Sequence, residues 1–161
     1  MSTTLNLIEL RTGGTGDLVA VDAIMRSAFD PRYGEAWTRG QCLGILAMPG
    51  VWLTLATIDG ATCGFALARA TGDEAELLLI ATTPAVRRRG VGGALLRAVV
   101  AESKSRMVKT LYLEMRAGNE AAALYRAAGF IKVGERRSYY RGSDGHQFDA
   151  LTLQLEIDRQ T

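Results

Sequence analysis

The sequence predicts one α/β (α+β) domain over residues 1–161, with a mixed seven-stranded sheet and about four helices on its faces. Strand-like and helix-like segments alternate in the order β-α-α-β-β-β-α-β-α-β-β. The 161 residues are about the length of one domain, and 48% are hydrophobic, which is enough for a core. No repeat or linker divides the chain, so we expect a single folding unit.

The first third of the chain is typical of one strand followed by two helices. Thr4–Leu10 alternates apolar and polar residues, as a half-buried strand does, and glycines follow it. Asp17 can cap a helix over residues 18–29, whose apolar residues lie on one face. Beyond an irregular loop, Thr38-Arg-Gly-Gln41 has capping-box spacing and predicts a second helix that ends near Pro49.

Three strands are predicted next. Segments 51–58 and 63–70 are joined through Asp59-Gly60, which strongly favours a hairpin. In segment 75–83 the apolar block Leu77–Ile80 does not alternate, so this strand should lie at the centre of the sheet, covered on both faces.

The last third of the chain supplies two more helices and three more strands. In chain order we expect a helix at 92–105, a strand at 111–115, a helix at 119–129 and strands at 130–141 and 148–157.

Composition excludes several classes of protein. The net charge of +2 is too mild to indicate a nucleic-acid partner, and no apolar run approaches the ~20 residues of a membrane span. The N-terminus lacks the pattern of a signal peptide, so we expect a cytoplasmic protein with no membrane partner. A zinc site is not expected, since the chain has one histidine, His146, and two cysteines, Cys42 and Cys63, without metal-ligand spacing.

Positive charge is concentrated in the second half of the chain. Residues 1–86 carry 5 basic and 9 acidic side chains, whereas residues 87–161 carry 14 basic and 8 acidic ones. Between Arg87 and Lys109 there are seven basic residues and one acidic residue, Glu102. Such a segment is either a solvated face or a site for an anion.

The glycine-rich stretch Arg87-Arg88-Arg89-Gly90-Val91-Gly92-Gly93 favours the anion site. It lies between a buried strand and a helix, where unpaired amides and the helix dipole attract a phosphate. It lacks the Gly-Lys-Ser/Thr ending of a nucleotide-triphosphate loop and the third glycine of a dinucleotide-binding turn. Taken alone, it is also compatible with a basic helix cap.

Several motifs together resemble the GNAT N-acetyltransferases. Arg87-x-x-Gly90-x-Gly92, after a strand that ends in Ile80–Thr82, is similar to the acetyl-CoA motif of that family. Downstream, Leu113–Asn119, Leu124-Tyr125 and Gly129-Phe130 are similar to its second conserved block. The predicted order of elements also matches the family's fold.

This resemblance implies a mostly antiparallel sheet whose two central parallel strands splay apart, and acetyl-CoA as cosubstrate. It implies that the pyrophosphate lies on the amides of residues 88–93 and that the pantetheine arm pairs with Ile80–Thr82. The implied cofactor-binding residues are Ile80, Ala81, Thr82, Arg87, Arg88, Arg89, Gly90, Val91, Gly92, Gly93 and Asn119.

Within the family, the chain resembles the RimI-type enzymes, which acetylate the N-terminal amine of a ribosomal protein. Segments 113–117 and 136–140 are similar to their LEVRA and RRxYY segments. The resemblance implies that Glu114 is the general base and that Tyr125 is the acid that protonates the departing thiolate. These two residues are eleven positions apart, one fewer than in the RimI-type pattern, so Gly118 or Asn119 occupies the cofactor-contact position.

The predicted function is transfer of acetyl to a protein N-terminal α-amine by a monomer or homodimer. Segment 29–37 and the loop at 141–148 are longer than in the RimI-type pattern, and both are expected to border the acceptor channel. One alternative is a GNAT enzyme for a small-molecule amine, which needs a closed pocket rather than an open channel. Another is a non-catalytic CoA- or nucleic-acid-binding module, against which Glu114 and Tyr125 argue.

Overall fold

The computed structural model describes residues 7–157, which form seven strands and four helices in the predicted order. The strands are β1 (Ile8–Gly13), β2 (Val51–Ile58), β3 (Ala61–Thr71), β4 (Glu74–Thr82), β5 (Thr110–Arg116), β6 (Ile131–Arg141) and β7 (Gln147–Glu156). The helices are α1 (Leu18–Ala28), α2 (Arg39–Leu46), α3 (Val91–Ser105) and α4 (Ala122–Ala127).

All seven strands form one sheet, in the order β1-β2-β3-β4-β5-β7-β6. Strands β4 and β5 run parallel, and the other neighbouring pairs run antiparallel. The parallel pairing joins Glu74–Leu77 to Thr110–Leu113 and goes no further along either strand. The predicted splay of the central parallel strands is therefore confirmed.

A β-bulge in β4 lies where the splay begins. Ala68 is opposite Leu77 and Leu67 is opposite Leu79, which leaves Leu78 as the extra residue. Because side chains alternate between faces, this extra residue reverses the alternation. Leu77 accordingly packs into the core on one face and Leu79 into the core on the other. The bulge explains why the apolar block does not alternate. The place of β4 in the middle of the sheet and the cores on both of its faces confirm that the strand is central.

Helices cover both faces of the sheet. Val21, Ile24 and Met25 of α1 are buried against one face, together with Cys42 of α2. On the other face, a core cluster includes Leu95, Leu96 and Val99 of α3 and Tyr125 of α4. The predicted apolar face of α1 is confirmed.

One helix cap and one hairpin turn form as their local sequences predict. The hydroxyl of Thr38 accepts a hydrogen bond from the Gln41 amide at 3.2 Å, and the Gln41 side chain accepts one from the Thr38 amide at 2.8 Å. Asp59 and Gly60 have φ angles of 51° and 79°, as a tight hairpin with two left-handed residues requires. The cap and the turn each depend only on residues that are a few positions apart in the chain.

The N-terminal elements differ from the prediction. Strand β1 is Ile8–Gly13 rather than Thr4–Leu10, and positions 4–6 lie outside the described residues. Its pairing with β2 carries the strand as far as Gly13, opposite Leu53. Asp17 precedes α1 but does not cap it, because its carboxylate accepts a hydrogen bond from the Gly14 amide and pairs with an arginine.

Candidate active site

The splay between β4 and β5 opens a cleft of about 600 Å³. Seven of the thirteen predicted catalytic and cofactor-binding residues line it, and the six from Arg88 to Gly93 do not: the seven are Ile80, Ala81, Thr82, Arg87, Glu114, Asn119 and Tyr125. Residues of the loop between α1 and α2 also line it, as do Tyr139 and Tyr140 of β6. The structure thus brings together residues from five separate parts of the chain.

The cleft exposes an unpaired edge of β4. Ile80–Thr82 pairs with β3 on one side, from Ala66 to Gly64. On the other side, pairing with β5 has already ended at Leu77. An unpaired strand edge can bind an extended ligand through main-chain hydrogen bonds. This edge therefore fits the amide-bearing arm of acetyl-CoA.

The turn before α3 presents free backbone amides. Arg88 and Gly90 have φ angles of 65° and 85°, so the chain turns sharply into the helix. Within residues 7–157, the amides of Arg88, Gly90 and the first three residues of α3 donate to no backbone or side-chain acceptor. Such amides at a helix N-terminus suit a phosphate group. The arrangement therefore fits the pyrophosphate of acetyl-CoA.

The three arginines of this turn differ in their surroundings. Arg88 and Arg89 are exposed, and their guanidinium groups can reach an anion from solvent. The Arg87 guanidinium instead donates a hydrogen bond to the Ala28 carbonyl at 3.1 Å, at the C-terminus of α1. Arg87 therefore ties the turn to α1 as well as lining the cleft.

Tyr125 enters the cleft from the α3–α4 face of the sheet. Its side chain is buried beside Phe130, with the two ring centroids 5.8 Å apart in an edge-to-face arrangement. Burial raises the pKa of the Tyr125 hydroxyl, and the nearby charge of Glu35 raises it further. The hydroxyl is thus held in its neutral form, which can donate a proton.

Glu114 enters from the opposite face. Its neighbours Leu113 and Met115 point into the α3–α4 core, so alternation directs Glu114 to the other side of β5. Its carboxylate pairs with the Nε of Arg136 at 2.9 Å, and its side chain is 16% exposed. Burial and the charge of Glu114 together raise the pKa of Glu76 on the adjacent strand.

Glu35 is a cleft residue that the sequence did not reveal. Its carboxylate accepts hydrogen bonds from Arg116 Nε at 3.1 Å and from Asn119 Nδ2 at 2.9 Å. The Glu35 and Arg116 side chains are each 11% exposed, and the guanidinium lies 3.6 Å from the centroid of the Tyr33 ring. No local pattern marks this residue, since it lies in an irregular loop 81 positions before Arg116.

Asn119 is held at the start of α4. Its amide nitrogen donates to Glu35, and its side-chain oxygen accepts a hydrogen bond from the Ala121 amide at 2.9 Å. Gly118, with a φ of 84°, lines the cleft beside it. Both candidates for the cofactor-contact position therefore border the cleft.

The two loops expected to border the acceptor channel have different positions. Segment 29–37 lines the cleft, whereas no residue of 141–148 does. The second loop packs behind the first: the Ser143 amide donates to the Pro31 carbonyl at 3.1 Å. A Cβ on Gly34 would lie 2.0 Å from the Arg141 carbonyl oxygen. The loop at 141–148 thus supports segment 29–37 from outside the cleft, and its expected place beside the acceptor channel stays a prediction.

Comparison with known proteins identifies the family. The family model for the acetyltransferase (GNAT) domain matches residues 50–132. This chain belongs to the GNAT acetyltransferase family. It is accordingly an acyltransferase that uses acetyl-CoA as cosubstrate.

Curated relatives place the chain near the RimI-type GNAT enzymes. It is 43% identical over 102 residues to the ribosomal protein bS18-alanine N-acetyltransferase of Salmonella typhimurium, covering 63% of this chain and 68% of the relative. It is 40% identical over 116 residues to the N-alpha-acetyltransferase RimI of Mycobacterium tuberculosis, covering 69% and 70%. The crystal structure of the Escherichia coli ribosomal-protein-S18-alanine N-acetyltransferase matches with a TM-score of 0.84 and 33% identity, over 96% of this chain and 97% of that one.

Two structural findings bear on other classes of protein. Among residues 7–157, no helix is long and apolar enough to cross a membrane. In the same part of the chain, no three His, Cys, Asp or Glu side chains group together as metal ligands.

Proposed function

We propose that this GNAT domain, taken as one unit over residues 1–161, transfers acetyl from acetyl-CoA to the N-terminal α-amine of a protein. The observation that carries the proposal is that Glu114 and Tyr125 reach one cleft from opposite faces of the sheet. A base and an acid are thus available on the two sides of a reacting carbonyl. A relative named as a ribosomal protein bS18-alanine N-acetyltransferase and another named as an N-alpha-acetyltransferase support a protein α-amine as the acceptor.

Acetyl-CoA supplies the acetyl group as a thioester. In the proposed mechanism, the neutral amine nitrogen forms the new bond to the acetyl carbon, and Glu114 accepts the proton that this nitrogen then loses. Tyr125 donates its hydroxyl proton to the sulfur as the carbon–sulfur bond breaks, and exchange with solvent restores the Glu114 carboxylate and the Tyr125 hydroxyl. An α-amine has a pKa of about 7.7–8.0, against about 10.4 for lysine, so more of it is neutral near pH 7 and a carboxylate is a sufficient base for it.

The same proposal assigns the remaining cleft residues. The free amides of Arg88 and Gly90–Gly93 hold the pyrophosphate, with the Arg88 and Arg89 side chains adding charge, whereas the Arg89 amide already donates to the Val86 carbonyl. The free edge of Ile80–Thr82 pairs with the pantetheine arm. Gly118 or Asn119 contacts the cofactor at the start of α4. The excess of positive charge in the second half of the chain suits a ligand with several negative charges.

A panel of acceptors tests the proposal. The purified protein is incubated with acetyl-CoA and one of three acceptors: a peptide with a free N-terminus, the same peptide with a blocked N-terminus, or a small polyamine. We expect turnover with the free peptide at a kcat/KM at least about tenfold above that for the polyamine. Higher kcat/KM for the polyamine would assign the enzyme to small-molecule amines instead.

A further inference from the structure

A second groove of about 340 Å³ continues from the cleft across the sheet. It shares Glu76, Leu113 and Glu114 with the cleft and extends to Arg69 of β3 and Glu74 of β4. An acceptor whose amine lies at Glu114 is therefore at the point where the groove begins. The rest of a peptide acceptor can lie along the groove without leaving the protein surface.

Arg69 has unused hydrogen-bonding capacity in this groove. Its Nε is buried and has no hydrogen-bond partner in the described part of the chain. Its Nη1 contacts the Sδ of Met48 at 3.6 Å, and sulfur is a weak acceptor. Glu76 is the residue opposite Arg69 on β4, yet no ion pair joins them among residues 7–157. A ligand in the groove cannot reach the buried Nε, but the Nη2 of Arg69 donates no hydrogen bond among residues 7–157 and can donate one to a ligand oxygen.

The groove carries more negative than positive charge. Three carboxylates line it, those of Glu74, Glu76 and Glu114, together with the guanidinium groups of Arg69 and Arg136. Arg136 already pairs with Glu114. The remaining two carboxylates and one guanidinium repel an acidic side chain and attract a basic one.

We propose that this groove binds the acceptor residues that follow the N-terminal amine, with Arg69 donating a hydrogen bond to a main-chain carbonyl. The carboxylates of Glu74 and Glu76 then favour an acceptor with a basic side chain over one with an acidic side chain. This inference rests on the proposed acetylation of a protein α-amine and adds a specificity-determining surface to it.

Steady-state kinetics with acceptors of different length and charge test the inference. The acceptors are alanine amide and two tetrapeptide amides, Ala-Ala-Lys-Ala and Ala-Ala-Glu-Ala. In the unaltered protein we expect KM to be lowest for the lysine peptide. Arg69→Ala should raise the tetrapeptide KM about tenfold, the loss of one charged hydrogen bond, and so reduce the advantage of the tetrapeptides over alanine amide.

Three variants make the test specific. Arg26→Ala removes an exposed arginine that lines neither cavity, and it should not alter the tetrapeptide KM. Arg69→Gln replaces Arg69→Ala if the latter does not fold. Glu74→Gln should lower the preference for the lysine peptide over the glutamate peptide about threefold, as expected for loss of one partly screened charge.

The possible failures are distinguishable. Equal kcat/KM for alanine amide and both tetrapeptides would refute peptide binding in the groove and leave the proposed α-amine acetylation intact. A tetrapeptide KM that is unchanged in the Arg69 variants would also refute peptide binding in the groove. If the unaltered protein acetylates no peptide, the proposed function is refuted, and so is the inference that the groove binds the acceptor.

Discussion

At the scale of single residues, Tyr125 and Glu114 have opposite electrostatic surroundings. Tyr125 is buried among apolar groups and near the Glu35 carboxylate, both of which disfavour a phenolate. The Glu114 carboxylate instead lies 2.9 Å from the Nε of Arg136, a cation. Tyr125 thus keeps the proton that the proposed mechanism requires it to donate.

Replacing Tyr125 by Phe removes the proposed acid and leaves the ring packing intact. We expect kcat to fall about 100-fold or more, with little change in the Kd for acetyl-CoA, because the hydroxyl acts mainly in the transition state. Kinetics and calorimetric titration measure the two quantities. Tyr33→Phe is the comparison, since that hydroxyl bonds to exposed Arg32, and it should lower kcat far less. Unchanged kcat in Tyr125→Phe would refute the role.

The raised pKa of Tyr125 also fixes the sign of its pH effect. A hydroxyl whose pKa lies above the ordinary value of about 10 stays protonated at higher pH, so its proton remains available throughout the alkaline range. We expect no loss of kcat from Tyr125 between pH 7 and about pH 10. An alkaline loss in that range that disappears in Tyr125→Phe would contradict the assignment.

Glu114→Gln tests the base. A carboxylate accepts a proton only when ionised, so the unaltered enzyme should lose kcat/KM as the pH falls. The glutamine variant should be about 100-fold slower near neutral pH, with a flatter acid limb. Glu9→Gln, on β1 and outside both cavities, is the matched control. An identical pH–rate profile in Glu114→Gln would remove the base assignment.

Residue identities at the site were only partly predictable. Glu114 and Tyr125 lie in motifs that resemble a known family, and both line the cleft. Glu35 and Glu76 also line it, but Glu35 lies in a loop without periodicity, and Glu76 lies in a strand whose pattern gives no functional signal. Contacts between residues far apart in the chain depend on the completed fold, so local sequence does not reveal them.

At the scale of elements, two glycine-dependent turns position the site. One is the turn before α3, where Gly90 has a φ of 85° and a Cβ at this position would meet no protein atom within 4 Å. The space beside the free amides is therefore open to a ligand. The other is segment 29–37, which is fixed against the 141–148 loop through Gly34. The first turn presents the free amides that are proposed to bind the cofactor, whereas the second lines the cleft.

Gly90→Ala should weaken cofactor binding as well as stability. A left-handed alanine costs about 1 kcal/mol, which lowers Tm by about 2–4 °C in a chain of this length. The added methyl group also occupies the space over the free amides, so the Kd for acetyl-CoA should rise about tenfold, the loss of one charged hydrogen bond. Gly72→Ala, at a φ of 62° in the β3–β4 turn, should lower Tm alone. Equal effects of both variants on Kd would contradict a phosphate site at Gly90.

Gly34→Ala tests the support of the cleft-lining segment 29–37. The new methyl group would meet the Arg141 carbonyl oxygen at 2.0 Å, so segment 29–37 must move and take Glu35 with it. We expect a loss of about 2–4 kcal/mol of unfolding free energy and lower kcat/KM. Gly145→Ala has the same backbone strain at a φ of 85° but no neighbour within 4 Å, and it should cost less. Thermal unfolding and kinetics of both variants decide the point, and equal losses would contradict it.

Elements were predictable where their causes are local. The capping box at Thr38 and the Asp59-Gly60 hairpin depend on neighbouring residues and formed as expected. The extent of β1 depends on pairing with β2, and the bulge at Leu78 depends on the register with β3. Neither pairing partner is specified by the segment's own sequence.

At the scale of the whole molecule, the sheet order explains why the site lies where it does. The parallel pair β4–β5 is at the centre, and the bulge at Leu78 coincides with the end of its pairing. Helix α3 follows β4 directly and brings its N-terminus to the edge of the opening. The free edge of Ile80–Thr82 and the cleft that Tyr125 and Glu114 line therefore both follow from one interruption in the sheet.

The most direct test of α-amine acetylation uses one peptide that carries both a free N-terminal α-amine and an internal lysine. After incubation with the purified protein and acetyl-CoA, fragmentation mass spectrometry locates the added acetyl group. We expect the acetyl group on the α-amine, with the lysine side chain unmodified. Acetyl on the lysine alone, or no acetylation of the peptide by folded protein, would contradict it.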